Sequence, residues 1–539
     1  MGRIGWKSND FSTDDEAPQL ARPIRTVYAE RRFTLGCFLT EFADRIAPWN
    51  TPAVKAEMFA AIRSLRWVNF VHRSAALVVF AVVFATHYRW ILTHFSNEPY
   101  LLDSGWLAYL LKSADPLLHN PSAVNDLSFY AHHLSPHLFL FGAPLSAMGF
   151  SGVQILAFHQ GFFFGLFFLS FYLMIAFPCM RRRDRTAAAL AALILGALSN
   201  PLFQAAAYPH DEIAMISIAS SAIAARVAGH GGLFVLCLIW LPFVREDGGF
   251  YVTVVCVSCL AIGWYDARAG SSRRQLTLLA AAGIVASGAS FLIKAWFFPG
   301  FTAFTNNFSG QSWSHVTTPF VVERVTSLLH NVNIVPVLLG CALLALFDIS
   351  YLAGLVVLSP IFLIHLLAVR PEHGHFTLYF ALPWLLPCVV WLAVLVTRSR
   401  ASQVRRAEVV IILVAAMALS APLQAAVGER QQFWYVAEWA WERPIADIRG
   451  MEKFAQAVTG AAGVAHPKRC VSQGIAALIP DDVRPDEVLA ADSDISRCNA
   501  LVLMRGEMNY ELLRTRAATQ RFVRVGSKDN AELWVAHGR

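Results

Sequence analysis

Five short stretches set carboxylates, imidazoles and guanidinium groups beside long apolar runs, where such groups are costly unless paired, hydrated or used. "LLDSGWLAYLL" holds Asp103, and "HHLSPHL" holds His132, His133 and His137. "YPHDEIA" supplies His210, Asp211 and Glu212, and "REDGGFYV" supplies Arg245, Glu246 and Asp247. "RPEHGHFTLYF" adds Arg370, Glu372, His373 and His375. A carboxylate among Leu101, Leu102 and Trp106 has a raised proton affinity, which suits a general base. Arg245, Arg370 and His375 are candidates to stabilise negative charge on a departing group. Trp106 and Trp313 could stack on a flat ligand face or simply anchor at an interface.

Each stretch also has a plainer reading. Asp103 before Ser-Gly-Trp suits a helix N-cap, and "PHDE" puts acids at the positive end of the next helix. "REDGG" reads as a tight turn. The histidines could be interfacial side chains at a headgroup boundary. His132, His210 with Asp211, and Glu246 are the ligands to test for a divalent ion. Their spacing matches no standard zinc motif, which favours a hydrogen-bond network and leaves any metal unknown.

The elements that must position these residues are membrane helices. The chain has 539 residues, 56% hydrophobic against 15% charged, with 39 Phe and 15 Trp, too apolar for an ordinary soluble protein. A span takes about 20 apolar residues. Such runs occur at 74–94, 152–178, 187–207, 213–229, 231–244, 249–265, 276–297, 332–347, 352–368, 377–397 and 408–426, giving about eleven helices. Residues 1–72 read as a mixed, polar cytoplasmic N-terminal segment in which no cleavable leader is expected. Within them "AVKAEMFAAIRSLR" (53–66) sets Val54, Met58, Ile62 and Leu65 opposite Lys55, Arg63 and Arg66, as an interfacial or solvated amphipathic helix would.

Arginine sets the orientation. "RRRDR" (181–185), "DARAGSSRR" (266–274) and "RSRASQVRR" (398–406) mark cytoplasmic breaks, whereas the opposite breaks hold Lys112, Arg245, Arg324 and Arg370. With eleven spans the N-terminus is then cytoplasmic and residues 427–539 are external. The same parity sends the candidate residues to one outer edge. Loops 95–151 and 298–331 lie on that side; within the first, the Pro-marked 133–148 segment is too short to cross and reads as an interfacial helix. The second reads as a long loop and a candidate lid. The net charge of +7 belongs to orientation, not to nucleic acid.

After residue 426 the pattern becomes soluble. Helices are expected at 452–463 and 510–519, a strand at 500–504 and a hairpin over 522–537, making a small α/β domain. In an oxidising compartment Cys470 and Cys498 could pair; otherwise they are two buried thiols. Cys256 and Cys259 form a C-x-x-C inside an apolar run, without polar partners for metal or redox chemistry.

"LLDSGWLAYLL", "HHLSPHLFLFGAPLSAM", "YPHDEIA", "REDGGFYV" and "HGHFTLYFALPWLLP", in that order, resemble the signature of a bacterial predicted-membrane-protein family grouped with the GT-C glycosyltransferases. The resemblance covers roughly residues 75–395. It implies an α-helical polytopic membrane protein with a GT-C-like domain (73–426) and a periplasmic α/β domain (427–539), in the bacterial inner membrane. It also implies a sugar donor on a polyprenyl-phosphate carrier, a glycan, lipid or protein acceptor of the envelope, and Asp103 in the place of the first-loop catalytic acid. Two rivals are a transporter or flippase of lipid-linked intermediates, which would place ionisable groups near the bilayer midplane, and an envelope ligase or acyltransferase with a histidine base, which shares the cavity. A third, a non-enzymatic scaffold, would not need the acids and histidines together.

Overall fold

The computed structural model describes residues 74–93, 102–119, 128–176, 182–206, 208–263, 270–299, 308–310, 312–376, 378–400, 403–426, 441, 447–461, 468–479, 483, 487–489, 493–507 and 509–537. The amphipathic stretch 53–66 lies outside the described residues. Within them the helices are α1 (Ser74–Thr93), α2 (Leu102–Ser113), α3 (Pro136–Ala147), α4 (Gly152–Ala176), α5 (Arg182–Ala197), α6 (Asn200–Ala206) and α7 (Glu212–Ala228). There follow α8 (Gly231–Val244), α9 (Gly248–Ile262), α10 (Gly270–Phe297), α11 (Thr318–His330), α12 (Val335–Ala345) and α13 (Ala353–Leu366). The short α14 (Pro371–Gly374) leads to α15 (Leu385–Arg400), α16 (Arg406–Ala418) and α17 (Ala421–Ala426).

All eleven apolar runs are helical wholly or in part. Among the described residues, five helices are long and apolar enough to cross a membrane, Ser74–Thr93, Gly152–Ala176, Arg273–Phe297, Ile349–Leu366 and Tyr379–Ser399, or six if the bent pair α11–α12 is one span. Gly231–Val244 and Gly248–Ile262 are apolar but shorter. The chain is a multi-pass membrane protein. Its centre is α7 and α15, which are buried almost all round, while α10 turns Leu278, Val285, Leu292 and the 82% exposed Trp296 outward, as a lipid-facing helix does.

Residues 298–331 differ from the expected loop. Their second half is α11, capped by Thr317, whose hydroxyl accepts from Phe320 N–H at 3.4 Å, with Pro319 in the first turn. The β-branched "TPFVVERVT" concealed it, since such residues weaken intrinsic helix preference. It meets α12 at 78°.

The C-terminal part forms helices and strands as its periodicity indicates. It comprises α18 (Ile448–Ala461), β1 (Arg469–Val471), α19 (Gln473–Leu478), β2 (Ala500–Met504), α20 (Tyr510–Thr519), β3 (Phe522–Lys528) and β4 (Ala531–Ala536). The sheet order is β1-β2-β4-β3, with β1 parallel to β2, the other pairs antiparallel, and a register shift between Arg524 and Gly526. Cys470 and Cys498 are disulfide-bonded, with Cα atoms 5.8 Å apart, among Leu501, Leu503, Leu513 and Trp534.

This part packs against the membrane helices through α19, which lies on α2. Two glycines permit the close approach. A Cβ on Gly152 would stand 2.5 Å from the carbonyl oxygens of both Ala108 (α2) and Ala477 (α19), and one on Gly142 would stand 2.0 Å from that of Leu111. Helices α2, α3, α4 and α19 are thus in backbone contact.

Candidate functional site

Four chain segments converge at one edge of the bundle: the turn before α3, the turn before α7, the α8–α9 turn and the last turns of α10. Glu246 is the hub of the first half. Its Oε1 lies 3.2 Å from His133 Nδ1 and 3.0 Å from Lys294 Nζ, and its Oε2 accepts from Leu134 N–H at 3.0 Å. Lys294 also donates to the carbonyl of His132. Glu246 is 6% exposed, yet burial, which alone would raise its pKa, is overcome by His133, Lys294 and Arg245, so it stays an anion.

Arg245 leads the second half. Its Nε and Nη2 hold Asp247 bidentately at 2.8 Å each, and its Nη1 donates to Glu212. His210 Nδ1 lies 2.6 Å from Asp211 Oδ1 and also pairs with Glu212. Burial alone would lower the pKa of His210, but the charges of Glu212 and Asp211 hold it well above its usual value. The two carboxylates thus favour the imidazolium form of His210. Four carboxylates (Asp211, Glu212, Glu246, Asp247) are thus set against Arg245, Lys294 and His210.

Aromatic rings join the halves and extend them. The rings of His133 and His210 lie 6.2 Å apart, and Tyr379 stacks on His210 at 4.3 Å and 8°. Tyr379 touches Phe380, which touches His373 at 4.1 Å. On the other flank, Trp106 of α2 meets His132 edge-on at 4.8 Å. Burial pushes the His132 imidazole down to about 4, so it is neutral. Below the ions, Trp240 Nε1–H donates to His137 Nδ1 at 3.1 Å, and His137 Nε2 lies 2.9 Å from His159 Nε2. Gln160 donates to the His210 carbonyl at 2.9 Å, closing the layer.

The structure therefore brings together His132, His133, His137, His210, Asp211, Glu212, Arg245, Glu246 and Asp247, with His373 at the end of the ring chain. Two expected members stand elsewhere. Arg370 is exposed at the N-cap of α14, and His375 Nε2 faces Glu323 of α11 at 2.8 Å. Asp103 lies in the first turn of α2, but its side chain, like that of Glu372, is outside the described residues. Lys294, His159, Gln160 and Tyr379 were missed by the sequence reading. The lone lysine in "FLIKAWFF" and "FHQ" inside an apolar run were the available signals.

His210, Asp211 and Glu212 present ligand atoms within 4.8 Å of one another and would fit a divalent ion in donor type. Arg245 on Glu212 instead supplies the positive charge that an ion would bring. His132 and Glu246 are not part of that trio.

No family model matches the chain. No curated protein matches it. Among solved structures it is similar to ArnT from Cupriavidus metallidurans in the apo state, at 12% identity and a TM-score of 0.42, over 88% of this chain and 100% of that one. It is also similar to the arabinofuranosyltransferase AftD from Mycobacteria, at 13% identity and a TM-score of 0.41, over 85% of this chain and 40% of the other. Both are GT-C fold members. These are similarities in the course of the chain.

Proposed function

We propose that the protein is an integral-membrane glycosyltransferase that moves a sugar from a polyprenyl-phosphate carrier to an envelope acceptor at the periplasmic face. One observation carries the reading: a buried, charge-compensated network of imidazoles, acids and cations at one bundle edge adjoins α2 through Trp106 and His132. Position 103 is three residues before Trp106, so both positions fall on one face of α2. Asp103 thereby becomes the candidate general base beside the network.

In a single inverting displacement Asp103 takes the proton of an acceptor hydroxyl as its oxygen attacks the anomeric carbon. The bond from that carbon to the carrier phosphate breaks, and the phosphate leaves with an added negative charge. Lys294 and His133, which are 17% and 34% exposed in their side chains, are placed to meet that charge. Arg245 acts behind them by holding Glu212 and Asp247. The arginine-rich breaks support a cytoplasmic opposite edge, and the Cys470–Cys498 disulfide supports an oxidising compartment for the soluble domain.

The test is mass analysis of envelope glycans and lipid-linked sugars in a deletion strain carrying wild type or Asp103→Asn. Transfer predicts that the variant, expressed normally, loses one sugar from the acceptor and accumulates the carrier-linked donor. Unchanged glycans in that strain would remove Asp103 as base. Donor held on the inner leaflet, with no response to the substitution, would point to a flippase.

A further inference from the structure

The soluble domain does not close flush against the first external helix. A cavity of about 160 Å³ remains between the end of α2, the α3–α4 turn and α18, lined by Lys112, Phe150, Gln154, Arg449, Glu452 and Gln456. Its floor is the buried pair Leu478 and Ile479, and its rim carries exposed Arg449 and Gln456. At roughly 30 Å³ per water the space equals about five waters, room for one sugar ring and well below the ~300 Å³ of a drug-sized pocket.

The lining is built, not incidental. Ser151 and Gln154 form a reciprocal capping box at the start of α4: Ser151 N–H donates to Gln154 Oε1 at 3.0 Å, and Gln154 N–H to Ser151 Oγ at 3.3 Å. Glu452 lines the same space from across the junction, within electrostatic reach of Lys112 and Arg449. An ammonium, a guanidinium, a carboxylate and two amides around one small space supply the mixed donors and acceptors that a polyol needs. Two cations against one carboxylate favour an anionic substituent on it.

We infer that this cleft is a saccharide subsite, built for a single pyranose ring bearing a carboxylate or a phosphate, and that it holds a sugar of the acceptor. The inference rests on the glycosyltransferase reading and deepens it. Lys112 follows position 103 by nine residues, about 14 Å along α2, so the helix separates a distal grip on the acceptor from the reacting end. Tethering there raises the effective concentration of the acceptor hydroxyl at the base.

The experiment uses the full-length protein in lipid nanodiscs and saturation-transfer NMR with three probes: D-glucuronate, glucose 6-phosphate and methyl α-D-glucopyranoside. At least one of the two anionic sugars is expected to bind saturably and more tightly than the neutral glycoside; which one does identifies carboxylate or phosphate. Arg449→Ala, at an exposed position, is expected to weaken that binding about tenfold with an unchanged thermal midpoint, and Arg449→Lys to recover part of it. Asp103→Asn should bind like wild type. The subsite is overturned if none of the probes saturates, if the neutral glycoside binds best, or if Arg449→Ala binds as wild type. If Asp103→Asn still transfers sugar, the general-base reading fails while the binding result stands.

Discussion

Lys294 Nζ stands 3.0 Å from Glu246 Oε1 and donates to the His132 carbonyl, so the end of α10 is fastened to the α8–α9 turn and to the turn before α3 by one ammonium group. Replacing it with Met leaves Glu246 buried with less compensation. Lys294→Met should cost about 3 kcal/mol of stability and reduce transfer sharply. Adding Glu246→Gln should restore more than half of the stability, measured by thermal unfolding in detergent. A single variant as stable as wild type would show that the pair is not coupled.

Arg398 does comparable work at the opposite edge. Its guanidinium pairs with Asp348 and lies 3.2 Å from Glu408, which also accepts from the Tyr351 hydroxyl at 2.8 Å; Asp184 accepts from Ser399 at 3.0 Å. Arg398→Met strands two buried carboxylates and should destabilise by about 3–5 kcal/mol. The protein that remains folded should keep its specific activity, since this edge is remote from the candidate site; loss of turnover in folded protein would contradict that division.

Glu507 gives the soluble domain a pH dependence. It accepts from the Gly474 N–H at the start of α19, and burial pushes its pKa from 4.5 up to about 7. Its folded state holds a proton that the unfolded state releases, so stability should fall as pH rises from about 4.5 to about 7 and level off above. The change should reach ~2–3 kcal/mol. Glu507→Gln should flatten this part of the profile in denaturant titrations across that window; an identical slope would acquit Glu507.

The disulfide spans a sequence separation of 28 residues. Removing it as Cys470→Ser with Cys498→Ser should lower the stability of the soluble domain by about 3–4 kcal/mol through regained loop entropy. Limited proteolysis should then cut within 468–500 first. Equal protease resistance of the oxidised and substituted forms would remove the disulfide as a determinant.

The sequence disclosed local features well and long-range partnerships poorly. "HDE" and "RED" are legible because acids beside apolar runs are conspicuous, and β2 and the hairpin are legible from a buried apolar run and a polar turn. Lys294 was read through because one charge near the end of a span scarcely lowers its hydropathy. Asp348 and Glu408 are far apart in sequence, and only the fold buries them together. Arg370 and His375 were expected with the other candidates, but α14 and α11 give them other surroundings. The three-residue β1 is too short for any periodicity to reveal.

Gly152, wedged between the carbonyls of Ala108 and Ala477, leaves no room for sliding. The C-terminal lobe and α2 are therefore held together as one body. A displacement of that lobe would carry α2, and with it position 103, along with it.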